Sequence, residues 1–261
     1  MASRSVESGR HPVRTLPAGV RRLVLAVVAV TVVLAPSAAT LWVSTPSGAD
    51  IQTRVAAITR SYGVVLLNPD EIPSTLAEAV VATEDERFYT HHGIDSIGLA
   101  RALLYDASNR CLCQGGSTIT EQLVKDVYLG GSDRGYNKLV DAVLALKVDR
   151  ILTKQQIMAD YLSEITTGLG RRGVSAAACA YFQTSLQNLT LGQYALLAGV
   201  TQAPSLYDPT VDPEAAEQRR SEVLASMISE HFITAEQALA ANAEPVLVRG
   251  TPPATACAVA A

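Results

Sequence analysis

The sequence predicts a mainly α-helical protein, and three observations carry that expectation. A threonine followed three positions later by Glu or Gln recurs at Thr118/Glu121, Thr153/Gln156, Thr190/Gln193 and Thr234/Gln237. In that pattern each side chain caps the other residue's backbone amide at a helix start. Asp212–Pro213 adds a fifth start, with proline at the first helical position. After Pro73 the apolar spacing stays helical almost to the end of the chain. Hydrophobic content of 48% against 18% charged is enough for a packed core in 261 residues.

Taken in order, residues 1–22 form a basic segment with Arg4, Arg10, Arg14, Arg21 and Arg22. Leu23 to Val43 is free of charge, close to the roughly 20 residues that span a bilayer. The arginines then belong on the cytoplasmic side, and Trp42 at the far end suits an interface. Small residues from Pro36 to Thr40 also fit a cleaved signal peptide, but the full length of the stretch favours an anchor. Either way, the chain from residue 44 onward lies outside the cytoplasm. Residues 44–66 read as a linker and lead-in, with a short extended segment between Ile51 and Leu67. From Glu244 the tail is rich in Pro and Ala and reads as loose.

The net charge of −4 conceals an asymmetry, because residues 1–43 hold five Arg and one Glu. The remainder carries sixteen bases against twenty-four acids, which argues against nucleic acid as a partner. Four cysteines, Cys111, Cys113, Cys179 and Cys257, show no zinc spacing. Cys179 sits in an Ala-rich run and reads as a small core residue. Cys111 and Cys113 can oxidise outside the cell.

Three stretches carry chemistry. In VVATEDERFYTHHGID, Glu84 continues the apolar stripe of Leu76 and Val80, whereas Asp85 and Glu86 leave it. A carboxylate so placed is partly desolvated and its pKa rises towards that of a useful base. Asp85 and Glu86 suit a solvated helix end. His91 and His92, adjacent in a loop, do not point the same way and make a poor metal site. In QGGSTITEQLVKDVYL, Gly115 and Gly116 free the backbone before a helix start whose amides suit an anion. There Glu121 and Lys125 are spaced as a surface ion pair. In RGYNKLVDAVLALKVDR, Lys138 and Asp141 share one face and put a cation and a carboxylate at a groove edge.

With these motifs in order, the chain resembles the family-51 glycosyltransferases, which polymerise lipid II into peptidoglycan strands. The likeness runs from about Leu67 to Met227. EDERFYTHHG fits E-D-x-x-F-x-x-H-x-G. GGSTITEQLVKD fits G-G-S-T-x-T-Q-Q-L-x-K-N, with Glu121 for Gln and Asp126 for Asn. NKLVDA stands for R-K-x-x-E-A, KQQIMADYLSEITTG carries Ser163 for Asn, and LTLGQYALLAGVTQAPSLYDP and RRSEVLASM complete the series. Gln193 replaces a usual Glu.

The resemblance implies a lysozyme-like two-lobed glycosyltransferase domain, residues 67–243, with a smaller membrane-facing jaw and one N-terminal transmembrane helix. It implies a monofunctional enzyme, since S-x-x-K and K-T-G are absent. Glu84 is implied as the general base and Asp141, one methylene short of the family's Glu, as the second essential carboxylate. Lys125, Arg134 and Lys138 are suited to the leaving pyrophosphate. Asp85, Phe88, His91, Gly93, Gly115, Ser117, Thr118 and Gln122 match motif positions that bind substrate or shape the cleft. Lipid II, the growing glycan strand and the membrane are the implied partners, with further cell-wall synthesis partners unnamed. No cofactor is obligatory, and a divalent cation, magnesium or manganese, can bridge the pyrophosphate. Two rival readings are a degenerate homologue that binds lipid II without turnover, and a lysozyme-like hydrolase acting through two carboxylates.

An anchor confines enzyme and lipid substrate to one surface. Deleting residues 1–43 is therefore expected to leave a folded domain that acts more slowly on membrane-embedded lipid II. Polymerisation in vesicles as fast as by the intact chain would overturn it.

Overall fold

The computed structural model describes residues 17–111, 115–132, 134–168 and 170–246. They fall into two units, one ending at Ser44 and one beginning at Thr45. The first is a helix, α1 (Ala18–Ser44), with Pro36 inside it. By length and composition it can cross a membrane, with a mean hydropathy of 2.3.

The second unit is helical throughout its described residues, with only isolated bridges and no strand. Its helices are α2 (Ile51–Ser61), α3 (Ser74–Glu84), α4 (Ser96–Asn109), α5 (Ile119–Leu129), α6 (Tyr136–Val148), α7 (Lys154–Glu164), α8 (Val174–Phe182), α9 (Leu191–Gln202), α10 (Pro213–Ser229) and α11 (Ala235–Asn242). The four expected capping boxes all form, at the starts of α5, α7, α9 and α11. Gln193, which departs from the family's Glu, still completes its box: its amide oxygen accepts from the Thr190 N–H at 3.0 Å. Asp212 caps α10 by accepting from Ala215 N–H at 3.0 Å.

α9 forms the middle of the core. It is apolar nearly all round, buried from Tyr194 to Thr201, and packs against α3 and α10. Gly199 is what allows α10 so near, because a Cβ there would lie 2.8 Å from Cγ of Arg219. α5 packs on α6, α7 and α2. α4 stands off from this core: of its residues only Ala102 is buried, while Ile97, Leu99, Leu103, Leu104 and Tyr105 are exposed.

Several expectations need correction. The lead-in expected to be extended is α2, a helix that buries Ile51, Val55 and Thr59 at spacing i, i+4, i+8. Ser163, standing for the family's Asn, accepts from Leu67 N–H at 2.9 Å and so ties the segment before α3 to α7. Cys179 is half-buried and disulfide-bonded, not a free core thiol, and Cys111 is also disulfide-bonded. Cys113, Cys257, most of the basic segment and the tail from residue 247 lie outside the described residues. The stretch after α1 is clamped to α6: the Lys147 ammonium donates to the carbonyls of Thr45 at 2.7 Å and Pro46 at 3.2 Å. Gly48 lies against Val148, where a Cβ would come within 2.9 Å of its Cγ2.

α7 buries an acid that the fold does not compensate. Asp160 is 2% exposed and its Oδ2 has no hydrogen-bond partner. Burial pushes its carboxyl up to about 6. The native state therefore binds a proton that the unfolded chain releases near pH 4, and stability falls as pH climbs through that window. Asp160→Asn is expected to raise the unfolding free energy above pH 7 by up to about 3 kcal/mol and to change little at pH 4. Denaturant titrations at the two pH values check this; equal effects at both would sink it.

Candidate active site

Glu84 is the last residue of α3, and its position follows from the stripe beneath it. Leu76 and Val80 are fully buried one and two turns back, so Glu84 is drawn to the same face, with a side chain only 8% exposed. The next residue, Asp85, turns inward as well. It accepts from Ile119 N–H, at the start of α5, at 3.0 Å, and both of its oxygens lie 2.9 Å from Nε2 of His91. Asp85 is thus buried, and the solvated helix end expected for it is corrected. Glu86 is half-buried, paired with Arg101 on the lining of the cleft described below. His92 is exposed beside Asp149, so the two histidines diverge as expected. Among the described residues no three potential metal-ligating side chains converge.

The other motif residues divide between scaffold and surface. Phe88 is fully buried and meets the His91 ring edge-on, with centroids 6.3 Å apart. Gly93 is held at φ +82° against α6, where a Cβ would sit 2.5 Å from the carbonyl of Ala145. Thr118 donates to the Gly93 carbonyl at 2.6 Å while capping α5. Phe88, His91 and Gly93 therefore fix the walls from behind. A cleft of about 300 Å³ opens over Glu84, Asp85, Gly115, Ser117 and Thr118, with Arg101 across from them.

Glu84 is gripped on one oxygen. Gln122 Nε2 donates to its Oε2 at 2.9 Å, and the Tyr161 hydroxyl donates to Gln122 Oε1 at 3.2 Å. The tyrosine fixes which way the amide points. Glu84 Oε1 is enclosed and has no hydrogen-bond partner. Burial raises the carboxyl above its ordinary value, and Asp85 adds to the rise. The Gln122 hydrogen bond and the charges of Arg219 and Lys125 oppose it.

A second cluster forms where α5 meets α6. Lys138 Nζ donates to Ser117 Oγ at 2.8 Å, Glu121 Oε1 at 3.0 Å and Asp141 Oδ2 at 3.2 Å. Glu121 is 4% exposed and its other oxygen caps Thr118 N–H at 2.9 Å. The surface pair expected between Glu121 and Lys125 does not form, because the capping box turns Glu121 inward to Lys138. Asp141 is 1% exposed, deeper than the groove edge expected for it. Burial pushes its carboxyl up to about 6, helped by the Glu121 charge and opposed by Lys138 and Lys125. Burial works to lower the Lys138 ammonium, but its two carboxylate partners outweigh that and raise it. Lys125 acts electrostatically on Glu84, Asp141 and a third acid, Glu164. Arg134 is exposed in the turn before α6.

Glu164 did not emerge from the sequence. It is fully buried at the end of α7 and accepts from Arg172 Nη1 at 2.6 Å. Burial and the nearby Asp126 charge push it up to about 8, against Arg172 and Lys125. Arg172 comes from the loop after α7, and no local spacing joins it to Glu164. Arg219 was equally hidden within RRSEVLASM. It lies on α10 with its Nη2 3.9 Å from Glu84 Oε1.

A model of the family described as Transglycosylase matches residues 52–228. Penicillin-binding protein 1A of Vibrio cholerae is 42% identical over 181 residues, 69% of this chain and 22% of that one. The protein of the same name from Haemophilus influenzae is 43% identical over 177 residues, 68% and 21% of the two chains. That from Aquifex aeolicus is 40% identical over 196 residues, 73% and 27%. The chain thus spans between a fifth and about a quarter of these relatives' length. A crystal structure of penicillin-binding protein 1A from Haemophilus influenzae aligns with a TM-score of 0.40 at 23% identity, over 70% of this chain and 18% of that one.

The cluster at Lys138 makes its own prediction. Glu121→Gln keeps an oxygen to cap Thr118 and removes one negative neighbour of Asp141. The Asp141 carboxyl is expected to titrate at lower pH in that variant, read by carboxyl NMR. An unchanged midpoint in a folded variant would show that the two acids are not coupled.

Proposed function

The chain belongs to the transglycosylase family, and from that premise we propose that it is a peptidoglycan glycosyltransferase, joining lipid II units into a glycan strand. The observation that supports this reading most is the buried, half-paired Glu84 on the wall of the cleft, its carboxyl raised by burial. A base with a raised pKa holds the proton it takes better than an exposed carboxylate does.

In the proposed reaction Glu84 takes the proton from the 4-hydroxyl of the acceptor GlcNAc. That oxygen attacks C1 of the donor MurNAc with inversion, and undecaprenyl pyrophosphate leaves. Gln122 and Tyr161 keep the carboxylate from rotating away. Charge grows on the pyrophosphate as the bond breaks, and preplaced cations stabilise it. Lys125, Arg134 and Lys138 are the cations we assign to it. Lys138 contributes least, because Glu121 and Asp141 already neutralise it. Both Glu121 oxygens are already engaged, by Thr118 and Lys138, and do not offer themselves to a metal. Magnesium or manganese, where one takes part, would sit on the pyrophosphate oxygens and add positive charge there.

We assign α1 as the membrane anchor and the apolar face of α4 as the surface that meets the lipid. That face exposes Ile97 and Leu104 about two turns apart, with Leu103 exposed beside it. The half-cystines at Cys111 and Cys179 suit an extracytoplasmic domain. The doubly neutralised Lys138 also favours a second reading, a homologue that binds lipid II without turning it over.

One comparison separates the two readings. Purified full-length protein in detergent, given labelled lipid II, is expected to form polymer resolved by size. Glu84→Gln fills the same volume but cannot take the proton, so turnover is expected to fall by about 10²–10⁴ with the fold intact. Wild type that retains lipid II without forming polymer would establish the binding-only reading. Normal turnover by the Gln variant would remove Glu84 from its role.

A further inference from the structure

Arg219 is a buried cation whose partners do not use it up. Nη1 donates to Glu222 Oε2 at 2.9 Å, and the Tyr207 ring lies 5.6 Å from the guanidinium carbon. Its Nε and Nη2 are enclosed and have no hydrogen-bond partner. Those two nitrogens form one edge of the guanidinium, the edge whose geometry matches a carboxylate. Glu84 Oε1, likewise enclosed and unpaired, lies 3.9 Å from Nη2. That is too long for a hydrogen bond and short enough for a strong charge interaction. The seat is built for this residue. Gly199 of α9 clears the space that the arginine stem fills, since any Cβ there would meet Arg219 Cγ. Arg219 does not itself line the cleft.

We propose that Arg219 is a positioning residue for Glu84: it faces the inner carboxylate oxygen from α10 and keeps that group oriented and ionised within the cleft wall, while Glu222 limits its pull. The proposal rests on Glu84 being the base of the reaction put forward above. Glu222 is half-exposed, so it tempers the arginine from the solvent side without reaching Glu84. The other groups facing Glu84 are few. Asp85 follows it on its own helix, Gln122 and Lys125 face it from α5, and Tyr161 from α7. α9, packed on α3, brings no charged residue, and its Tyr194 hydroxyl is spent on the Leu186 carbonyl. Lys125 is shared among three acids, which leaves Arg219 as the cation directed at Glu84.

The sign of the effect is fixed by the charges. A base works only when deprotonated, so turnover rises with pH through the Glu84 midpoint. Removing the positive charge makes Glu84 harder to ionise and shifts that rise to higher pH. Removing Glu222 frees the arginine's field and shifts it to lower pH. A merely structural lesion would not give opposite shifts at two sites on one helix.

The experiment uses the full-length protein and the variants Arg219→Gln, Arg219→Lys and Glu222→Gln. The Glu84 carboxyl is titrated by carbon-13 NMR, assigned with Glu84→Gln, and lipid II turnover is measured across pH. Arg219→Gln is expected to raise the titration midpoint, with turnover on the acid limb about tenfold lower relative to its own plateau. Arg219→Lys is expected to return most of that loss, and Glu222→Gln to lower the midpoint. If Arg219→Gln does not fold, the Lys variant and Glu222→Gln decide the question by themselves. A Glu84 midpoint unmoved by the folded variants, or moved the same way at both sites, overturns the proposal. Opposite shifts without polymer from wild type uphold the Arg219–Glu84 coupling and overturn the transferase reading instead.

Discussion

The carboxylate of Asp85 stands where α3 stops and accepts from the Ile119 N–H at the start of α5, and the geometry of the cleft depends on that junction. It fixes Glu84, one residue back, against Gln122, about one turn on. Both Asp85 oxygens also engage His91, whose ring packs edge-on to the buried Phe88. That carboxylate is thus committed to holding the end of α3 to the start of α5. A buried carboxylate satisfied by an amide and an imidazole costs far less than an unpaired one. The residue beside it can then be left half-paired.

That asymmetry defines the electrostatics. Asp141 and Glu164 are both pushed up by burial, to about 6 and about 8, and Glu84 shifts the same way. Few cations reach them. Lys138 is committed to two carboxylates, Arg172 to Glu164 and Arg219 partly to Glu222. Such a site holds protons more tightly than its composition suggests, which suits proton transfer. The same feature makes uncommitted positive charge scarce around these acids. Glu121 lies at the centre of that tension, as a helix cap by one oxygen and a neutraliser of Lys138 by the other.

What was legible in the sequence was what local rules decide. The capping boxes need only residues three apart, and all four form. The drift of Glu84 onto a buried face follows from Leu76 and Val80 one and two turns away. The misses came where a distant partner won. Glu121 obeys an i, i+4 rule with Lys125 on paper, but Lys138, seventeen residues on, takes it. Asp85 looked solvated because its partner amide lies thirty-four residues away. Arg172 with Glu164, and Arg219 with Glu84, are likewise joined by helix packing that no spacing announces. α2 falls in the stretch expected to hold a short extended segment, although Ile51, Val55 and Thr59 at i, i+4, i+8 mark one helical face.

The clamp between Lys147 and the carbonyls of Thr45 and Pro46 has a mechanical meaning. Those carbonyls belong to the first residues after the helix that can cross a bilayer, and Lys147 is in the last turn of α6. α6 is also the helix that carries Lys138 and Asp141. Any pull on the chain ahead of Thr45 would therefore enter this unit at the end of the helix that carries Lys138 and Asp141. Gly48 seated against Val148 makes that attachment a close fit, so a tug is passed along a stiff rod and is not absorbed in slack chain.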